Sequence, residues 1–387
     1  MAGIHPEAHR AGQPPAGTWM LRALELAARG EGTTSPNPMV GAVLVRDGRL
    51  VGEGFHRVPG APHAEALALR SAGPLAAGAT CYVTLEPCVH HGRTPPCADA
   101  LIAAGVARVV AAVRDPDPNV DGRGFERLRD AGVPVEVGEG AAAAEQQNAA
   151  FLIHRRQGRP RVTLKAAASL DGKVAAPDGT SQWITGEAAR ADGHRLRAVA
   201  DAVAVGAGTA AADDPRLTAR LPGWHGRQPL RVLVDATGRT PAGGHLFDGE
   251  APTLVATTAL APPASVKAWS EAGAEVLTCP PEPAATGEPG VDLAFLARAL
   301  GDRGVLELLV EGGPRLQASF WSAGLADRIV WYLAPLVIGG DAAPGLLPAA
   351  GASTLTAARD VHVESVQRLG ADLRIVGYPR GLAQEDA

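Results

Sequence analysis

Two periodicities of apolar residues alternate along the chain. Leu21, Leu24 and Ala28 recur at helical spacing and predict a helix over 18–28, with Gly30 as its stop. Beyond it PNPMVGAVLV reads as a strand, Asp47-Gly48 as a tight turn and RLVGEGFH as the returning arm of a hairpin. Residues 63–71 read as a helix, TCYVTLE as a strand, and 96–104 as a short helix opened by Pro96. RVVAAV and residues 133–137 add two more strands. Such alternation predicts an α/β layer with helices on both faces. An alanine-rich helical stretch over 141–156 then meets the polar QGRPR, and a domain junction is expected there.

The second half starts afresh. RVTLKAAAS, DAVAVG, LRVLVD, APTLVAT, VLELLV and DRIVWYLAP read as strands, and residues 187–200 as a helix. The Pro/Gly-rich piece from Pro280 to Gly290 reads as a surface loop. This half is again α/β, without a fixed-period repeat. The expected domains are 18–150 and 151–380, preceded by a disordered extension over 1–17.

Composition narrows the class. A chain of 387 residues is too long for one ordinary core. Hydrophobic residues make up 46% and charged residues 20%, as in a soluble globular protein. The net charge of −5 argues against a nucleic acid or an anionic membrane as partner. The first seventeen residues lack the apolar run of a secretory signal, and no apolar run is long enough to span a bilayer, so a cytoplasmic location is expected. There, the four cysteines (Cys81, Cys88, Cys97 and Cys279) suggest metal or catalysis before disulfides. Cys81, inside an apolar strand, reads as a buried inert thiol.

The chemistry concentrates in the first domain. His63-Ala64-Glu65 precedes Glu86-Pro87-Cys88, and eight residues, VHHGRTPP, separate Cys88 from Cys97. Zinc takes thiolate and imidazole donors in a tetrahedron, and a catalytic site keeps one position open for water. One histidine and two cysteines supply three ligands and leave the fourth place free. Zinc lowers the pKa of the water it binds, and Glu65 stands close enough to pass a proton on to a leaving amine. His-x-Glu followed by Pro-Cys is the pattern of the zinc nucleobase deaminases, although their usual spacing between the cysteines is two residues.

These motifs, together with SPNPMVGAVLV, GEGFH, PHAEALAL and VTLEPCVHHGRTPPC, closely resemble the deaminase half of the bifunctional riboflavin-biosynthesis deaminase–reductase family. The resemblance continues in order through LKAAASLDGKVA, SQWITG, ADDPRLTAR and LVEGGPRLQASF, spanning about Thr18 to Tyr378. It implies a cytidine-deaminase-like three-layer α/β/α domain followed by a dihydrofolate-reductase-like α/β domain. It further implies two steps on one pyrimidine ribosyl phosphate: zinc-dependent deamination to a uracil, then NADPH-dependent reduction of the ribosyl group to ribityl. One zinc per chain would be held by His63, Cys88 and Cys97, with Glu65 as proton shuttle. Asn37, His56, His90 and Arg93 would contact the deaminase substrate, with His91 beside them. A homo-oligomer is implied as well.

Read without the resemblance, the second half offers two glycine turns. Gly206-x-Gly208-x-x-Ala211 partly mimics a dinucleotide fingerprint, and Glu311-Gly312-Gly313 follows a strand and opens a helix. Each is either a phosphate-binding turn or simply a tight turn. With the resemblance, Ala167, Trp183, Thr209, Asp213, Ala236 and the run Gly313, Pro314, Arg315, Leu316, Gln317, Ala318, Ser319 match NADPH contacts. Ser181, Arg197, Leu217, Arg220 and Glu311 match substrate contacts. Lys165 would orient the opened ribose as a catalytic residue. Two rival readings stand beside this one. One is a tRNA-type deaminase with a non-catalytic binding domain, which the absence of a basic stripe disfavours. The other is a deaminase fused to a dead reductase-like domain.

Overall fold

In the first domain, the helix α1 (Thr18–Ala28) leads into a hairpin of β1 (Gly41–Arg46) and β2 (Arg49–Phe55). Then come α2 (Ala64–Ala72), β3 (Thr80–Val83), α3 (Cys97–Ala103), β4 (Arg108–Ala111), α4 (Arg123–Asp130), β5 (Val135–Val137), α5 (Ala141–Gln147) and α6 (Ala149–Gln157). The strands lie in the order β2-β1-β3-β4-β5, with the hairpin and the β1–β3 pair antiparallel and the rest parallel. Ala64, Ala68 and Ala72 of α2, Leu101 of α3 and Phe125 and Leu128 of α4 pack on Leu44, Cys81, Val83 and Val109 as one core. α1 buries Met20, Ala23, Leu24 and Ala27. Its close approach to β1 is possible because Gly41 has no Cβ, which would stand 1.9 Å from Ala23 O.

This computed structural model describes residues 17–90, 95–349 and 351–380. The expected extension over 1–17 therefore lies, apart from Gly17, outside the described residues. The chain divides between Arg156 and Gln157. The helix expected over 141–156 is two, interrupted at Asn148, whose side chain accepts from Met39 N at 2.8 Å and donates to Met39 O at 2.9 Å. An amide bonding to distant backbone in this way caps one helix and opens the next.

The second unit is built on β6 (Arg161–Ser169), α7 (Glu187–Val199), β7 (Ala202–Gly206), α8 (Ala207–Asp213), β8 (Leu230–Val234), β9 (Thr253–Thr257), α9 (Pro263–Glu271) and β10 (Glu275–Thr278). A short hairpin follows, β11 (Pro281–Pro283) and β12 (Pro289–Val291), where a surface loop was expected. The remainder is α10 (Leu293–Gly301), β13 (Glu307–Gly312), α11 (Pro314–Ser322), β14 (Arg328–Ala334), β15 (Val361–Leu369) and β16 (Asp372–Pro379). Nine strands form one sheet, β10-β9-β8-β7-β13-β6-β14-β16-β15, parallel except for the last two pairings. Leu164, Ala204, Val310 and Ile329 face Leu296, Leu300 and Phe320 on one side of this sheet. Val203, Val205, Leu233 and Val330 face Leu196, Ala210 and Trp269 on the other. Both halves are thus helix-covered sheets. No helix among the described residues is long and apolar enough to cross a membrane.

Candidate functional site

In the first unit, His63 stands at the N-cap of α2, with extended backbone, and Glu65 lies in the first turn. The helix can sit low on the hairpin because a Cβ on Gly54 would lie 2.6 Å from Ala64 O. Cys88 follows β3 and its loop, and Cys97 opens α3. Their donor atoms converge: His63 Nδ1 lies 3.5 Å from Cys88 Sγ and 3.4 Å from Cys97 Sγ. All three lie within 4.8 Å of one another, as ligands of one metal ion would.

The thiols behave as a pair. Hydrogen bonding from Cys97 and the His63 ring, against the cost of burial, push the Cys88 thiol down to about 4. The hydrogen bond with Cys88 and burial, helped by the nearby Glu65 and Cys88 charges, hold the Cys97 thiol well above its ordinary value. The second thiol gives up its proton only with a cation beside it, so a donor set of one imidazole and two sulfurs suits a thiophilic divalent ion. Glu65 is 3% exposed, and burial together with the Cys88 charge pushes its carboxyl up to about 7. Cys81, by contrast, is fully buried, and burial raises its thiol far from reactivity.

His63, Glu65 and Cys88 open onto a cavity of about 150 Å³ lined also by Asn37, His56 and His90. Asn37 Nδ2 lies 3.1 Å from His56 Nε2, and the His56 and His63 rings meet edge to face at 5.5 Å. Burial lowers the His56 pKa, favouring the neutral ring. Arg93 and His91 lie outside the described residues. Three charged lining residues are not visible in the local motifs: Asp115, Asp117 and Arg155. Arg155 pairs with Asp117 at 3.2 Å, and burial pushes Asp115 up to about 6. The Asp-Pro-rich run after β4 was the available signal.

Glu86 shapes this end of the sheet. Its Oε1 accepts from Gly124 N at 2.8 Å and Phe125 N at 3.3 Å, and its Oε2 from Gly122 N at 3.0 Å and Asp115 N at 3.2 Å. One carboxylate therefore caps α4 and fixes the peptide that runs into Cys88.

In the second unit the two glycine turns meet. A Cβ on Gly313 would stand 2.5 Å from Thr209 Oγ1. Both turns line one cleft of about 600 Å³, together with Ala236, Pro314, Arg315, Leu316 and Ser319. The hairpin β11–β12 supplies another wall and is pinned by Ser319 Oγ, which accepts from Ala285 N at 3.1 Å, and by an Arg315–Glu288 pair at 2.9 Å. Gln317 and Ala318 are instead buried behind the cleft, where Gln317 Nε2 donates to Lys165 O at 2.7 Å. Asp213 ends α8, and burial raises its pKa.

A second group of predicted residues forms a polar cluster. Arg197 holds the Glu311 carboxylate by two bonds, the Nη2 bond at 2.7 Å, and Lys165 Nζ stands 3.6 Å from the same carboxylate. Burial would raise the Glu311 pKa, but Arg197 and Lys165 overcome it and bring it down to about 2. Arg220 Nη1 donates to Thr218 Oγ1 at 2.9 Å, and its backbone N to His194 Nδ1 at 3.3 Å. Two cations, Arg197 and Lys165, thus hold one buried carboxylate, and Arg220 adds a third positive charge to the neighbourhood. Leu217 is 2% exposed. Ala167 packs against the apolar core on its side of the sheet. Trp183 is 69% exposed under the Arg190 guanidinium, 4.7 Å away, and the half-buried Ser181 precedes it in the same loop.

Comparison with known proteins agrees with both halves. Residues 15–113 match the cytidine and deoxycytidylate deaminase zinc-binding region, and residues 160–373 match the RibD C-terminal domain. The riboflavin biosynthesis protein RibD of Escherichia coli is 44% identical over 93% of this chain and 98% of its own length. That of Bacillus amyloliquefaciens is 41% identical over 94% and 96%. The crystal form 1 of Acinetobacter baumannii RibD superposes with a TM-score of 0.83 at 38% identity, covering 94% of this chain and 99% of that one. A diaminohydroxyphosphoribosylaminopyrimidine deaminase/5-amino-6-(5-phosphoribosylamino)uracil reductase from Thermotoga maritima gives 0.80 at 35% identity, covering 94% and 98%. The second half is therefore a reductase domain and not a nucleic-acid module, and a zinc-binding deaminase domain precedes it. The chain belongs to the RibD family of bifunctional riboflavin-biosynthesis deaminase–reductases.

Proposed function

We propose that the first domain deaminates 2,5-diamino-6-ribosylamino-4(3H)-pyrimidinone 5′-phosphate and that the second reduces 5-amino-6-(5-phosphoribosylamino)uracil with NADPH. The observation that carries the first half is the convergence of His63, Cys88 and Cys97 beside the buried Glu65. The Thermotoga maritima relative, named for this pair of activities, supports the choice of substrates. One zinc per chain would be held by those three residues, and when bound it supplies a strong water-derived nucleophile at neutral pH. Glu65 takes the proton from the attacking water and delivers it to the departing amine. Asn37 and His56 hold the pyrimidine, with His90 on the cavity wall and Arg93 as a phosphate ligand.

In the second domain Gly206–Thr209 and Gly313–Leu316, with Ala236 and Ser319, would hold the cofactor. The surplus of cations at Lys165, Arg197 and Arg220 around Glu311 suits a phosphorylated, polyhydroxy substrate. Lys165 orients the opened ribose, and the cofactor, when bound, would supply the reducing equivalent. We place the protein in the cytoplasm, where thiolate ligands stay reduced, and as a homo-oligomer.

The purified protein incubated with the diamino-pyrimidine ribosyl phosphate should form the deaminated uracil alone, and the ribityl product once NADPH is added. Absence of ammonia release would overturn the first assignment. Accumulation of the ribosyl uracil despite NADPH would overturn the second.

A further inference from the structure

Among the described residues, the reductase cleft holds one cation that the domain itself does not use. Arg239 lies on the turn after β8 and lines the same cleft as the two glycine turns. The backbone of that turn is tied down around it. Asp235 Oδ1 accepts from Gly238 N at 3.0 Å and Oδ2 from Thr240 N at 2.7 Å. Gly238 O accepts from Ser265 Oγ at 3.1 Å, and Thr240 O from Trp269 Nε1 at 2.9 Å. So the loop aims the side chain, yet among the described residues the Arg239 guanidinium has no ion pair and no hydrogen bond. The other arginine on the cleft, Arg315, is engaged by Glu288.

Two further observations point to an anion here. Thr286 Oγ1, on the hairpin that walls the cleft, is buried without a hydrogen-bond partner. An unpaired guanidinium fork and an unpaired hydroxyl on one cleft complement a phosphate better than a neutral ribose or base. Moreover, where a parallel sheet binds a dinucleotide, an acid near the end of the next strand takes the adenosine ribose hydroxyls, and an arginine takes a 2′-phosphate. At the end of β8 the acid is Asp235, but it is 1% exposed and both its oxygens are consumed by turn amides. Arg239 is what remains. Glu282, on the hairpin, is the acidic side chain left on the cleft without an ion pair among the described residues, and its charge would repel a misplaced phosphate.

We propose that Arg239 is the residue by which the reductase domain selects a 2′-phosphorylated nucleotide, with Thr286 Oγ1 as a second donor. This rests on the reading of the cleft as the NADPH site. Arg239 is exposed and makes no packing-critical bond, so its replacement should leave folding and deamination intact.

The test titrates full-length wild type, Arg239→Ala and Arg239→Lys calorimetrically with adenosine 2′,5′-bisphosphate and with adenosine 5′-monophosphate. It then measures KM for NADPH and NADH in reduction of the ribosyl uracil. Wild type should bind the bisphosphate about tenfold tighter or more than the monophosphate, the scale of a charge-assisted bond. Arg239→Ala should abolish that difference and raise KM for NADPH without changing KM for NADH, and Arg239→Lys should restore part of it. Full retention of the preference in Arg239→Ala would overturn the assignment of Arg239 while leaving the NADPH reading standing. Equal binding of the two nucleotides and equal KM values in wild type would instead overturn the NADPH reading, and the role of Arg239 with it.

Discussion

Glu65 owes its character to where α2 begins. Enclosed beside the ligand cluster, it is held by burial and the Cys88 charge in the range where a carboxyl exchanges protons near neutrality. Glu65→Gln keeps the shape and removes the exchange, so zinc measured by plasma emission should remain while deamination falls about 10²-fold or more. Near-normal turnover would remove Glu65 from the proton path. Lys165 is a second case where one residue does two things. A structural lysine pairs with a carboxylate and a functional one faces substrate; Lys165 pairs with Glu311 at 3.6 Å, yet Arg197 already holds that carboxylate by two hydrogen bonds. Lys165→Ala should lower reductase kcat or raise its substrate KM at least tenfold, about one charge-assisted bond. Deamination and Tm should hardly move, and Arg should rescue poorly because a planar fork is a poor copy of an ammonium. Unchanged reduction with a large fall in Tm would make the lysine structural. At this scale the metal donors were legible because each sits in a short motif. Asp115, Asp117 and Arg155 were not, because they come from a loop and a helix whose only link to the motif is spatial.

Among elements, the legible ones bury a single apolar stripe or run, as α1, β1, β6 and β13 do. β15 escaped because its residues are mostly exposed on both faces and leave no alternation to read. α4 and α9 escaped for a related reason: α4 buries two large apolar residues, Phe125 and Leu128, and α9 one, Trp269. The hairpin β11–β12 was hidden by prolines, which suggest a loop but are tolerated in short two-stranded pieces. The placement of α4 carries its own prediction. A Cβ on Gly124 would lie 2.1 Å from Pro87 O, in the peptide that precedes Cys88. Gly124→Ala should therefore cost about 1–3 kcal/mol of stability, as overpacked sites do. It should also weaken zinc binding in a competitive chelator titration, although Gly124 is no ligand. A variant with wild-type zinc affinity would show that α4 does not hold the ligand loop.

For the whole molecule, the metal donors lie in one unit and the glycine-lined cleft in the other, each on its own sheet. A strong chelator should then abolish deamination and leave reduction of the ribosyl uracil nearly intact; equal loss of both, with the fold preserved by circular dichroism, would refute two independent sites. The edge of the larger sheet has a different consequence. Among the described residues β15 pairs only with β16, its register slips between Val363 and Ser365, and Val363 and Val366 are 51% and 59% exposed. Such a strand has little to hold its outward amides closed, since local opening needs only the loss of one ladder. In a lone chain, residues 361–369 should take up deuterium sooner than β6 or β13. In the homo-oligomer proposed above, any contact that covers this edge would slow that uptake, and progressive dilution would restore it. Deuterium uptake by this one peptide, followed against protein concentration, would therefore report whether the open edge of the sheet meets water or another chain.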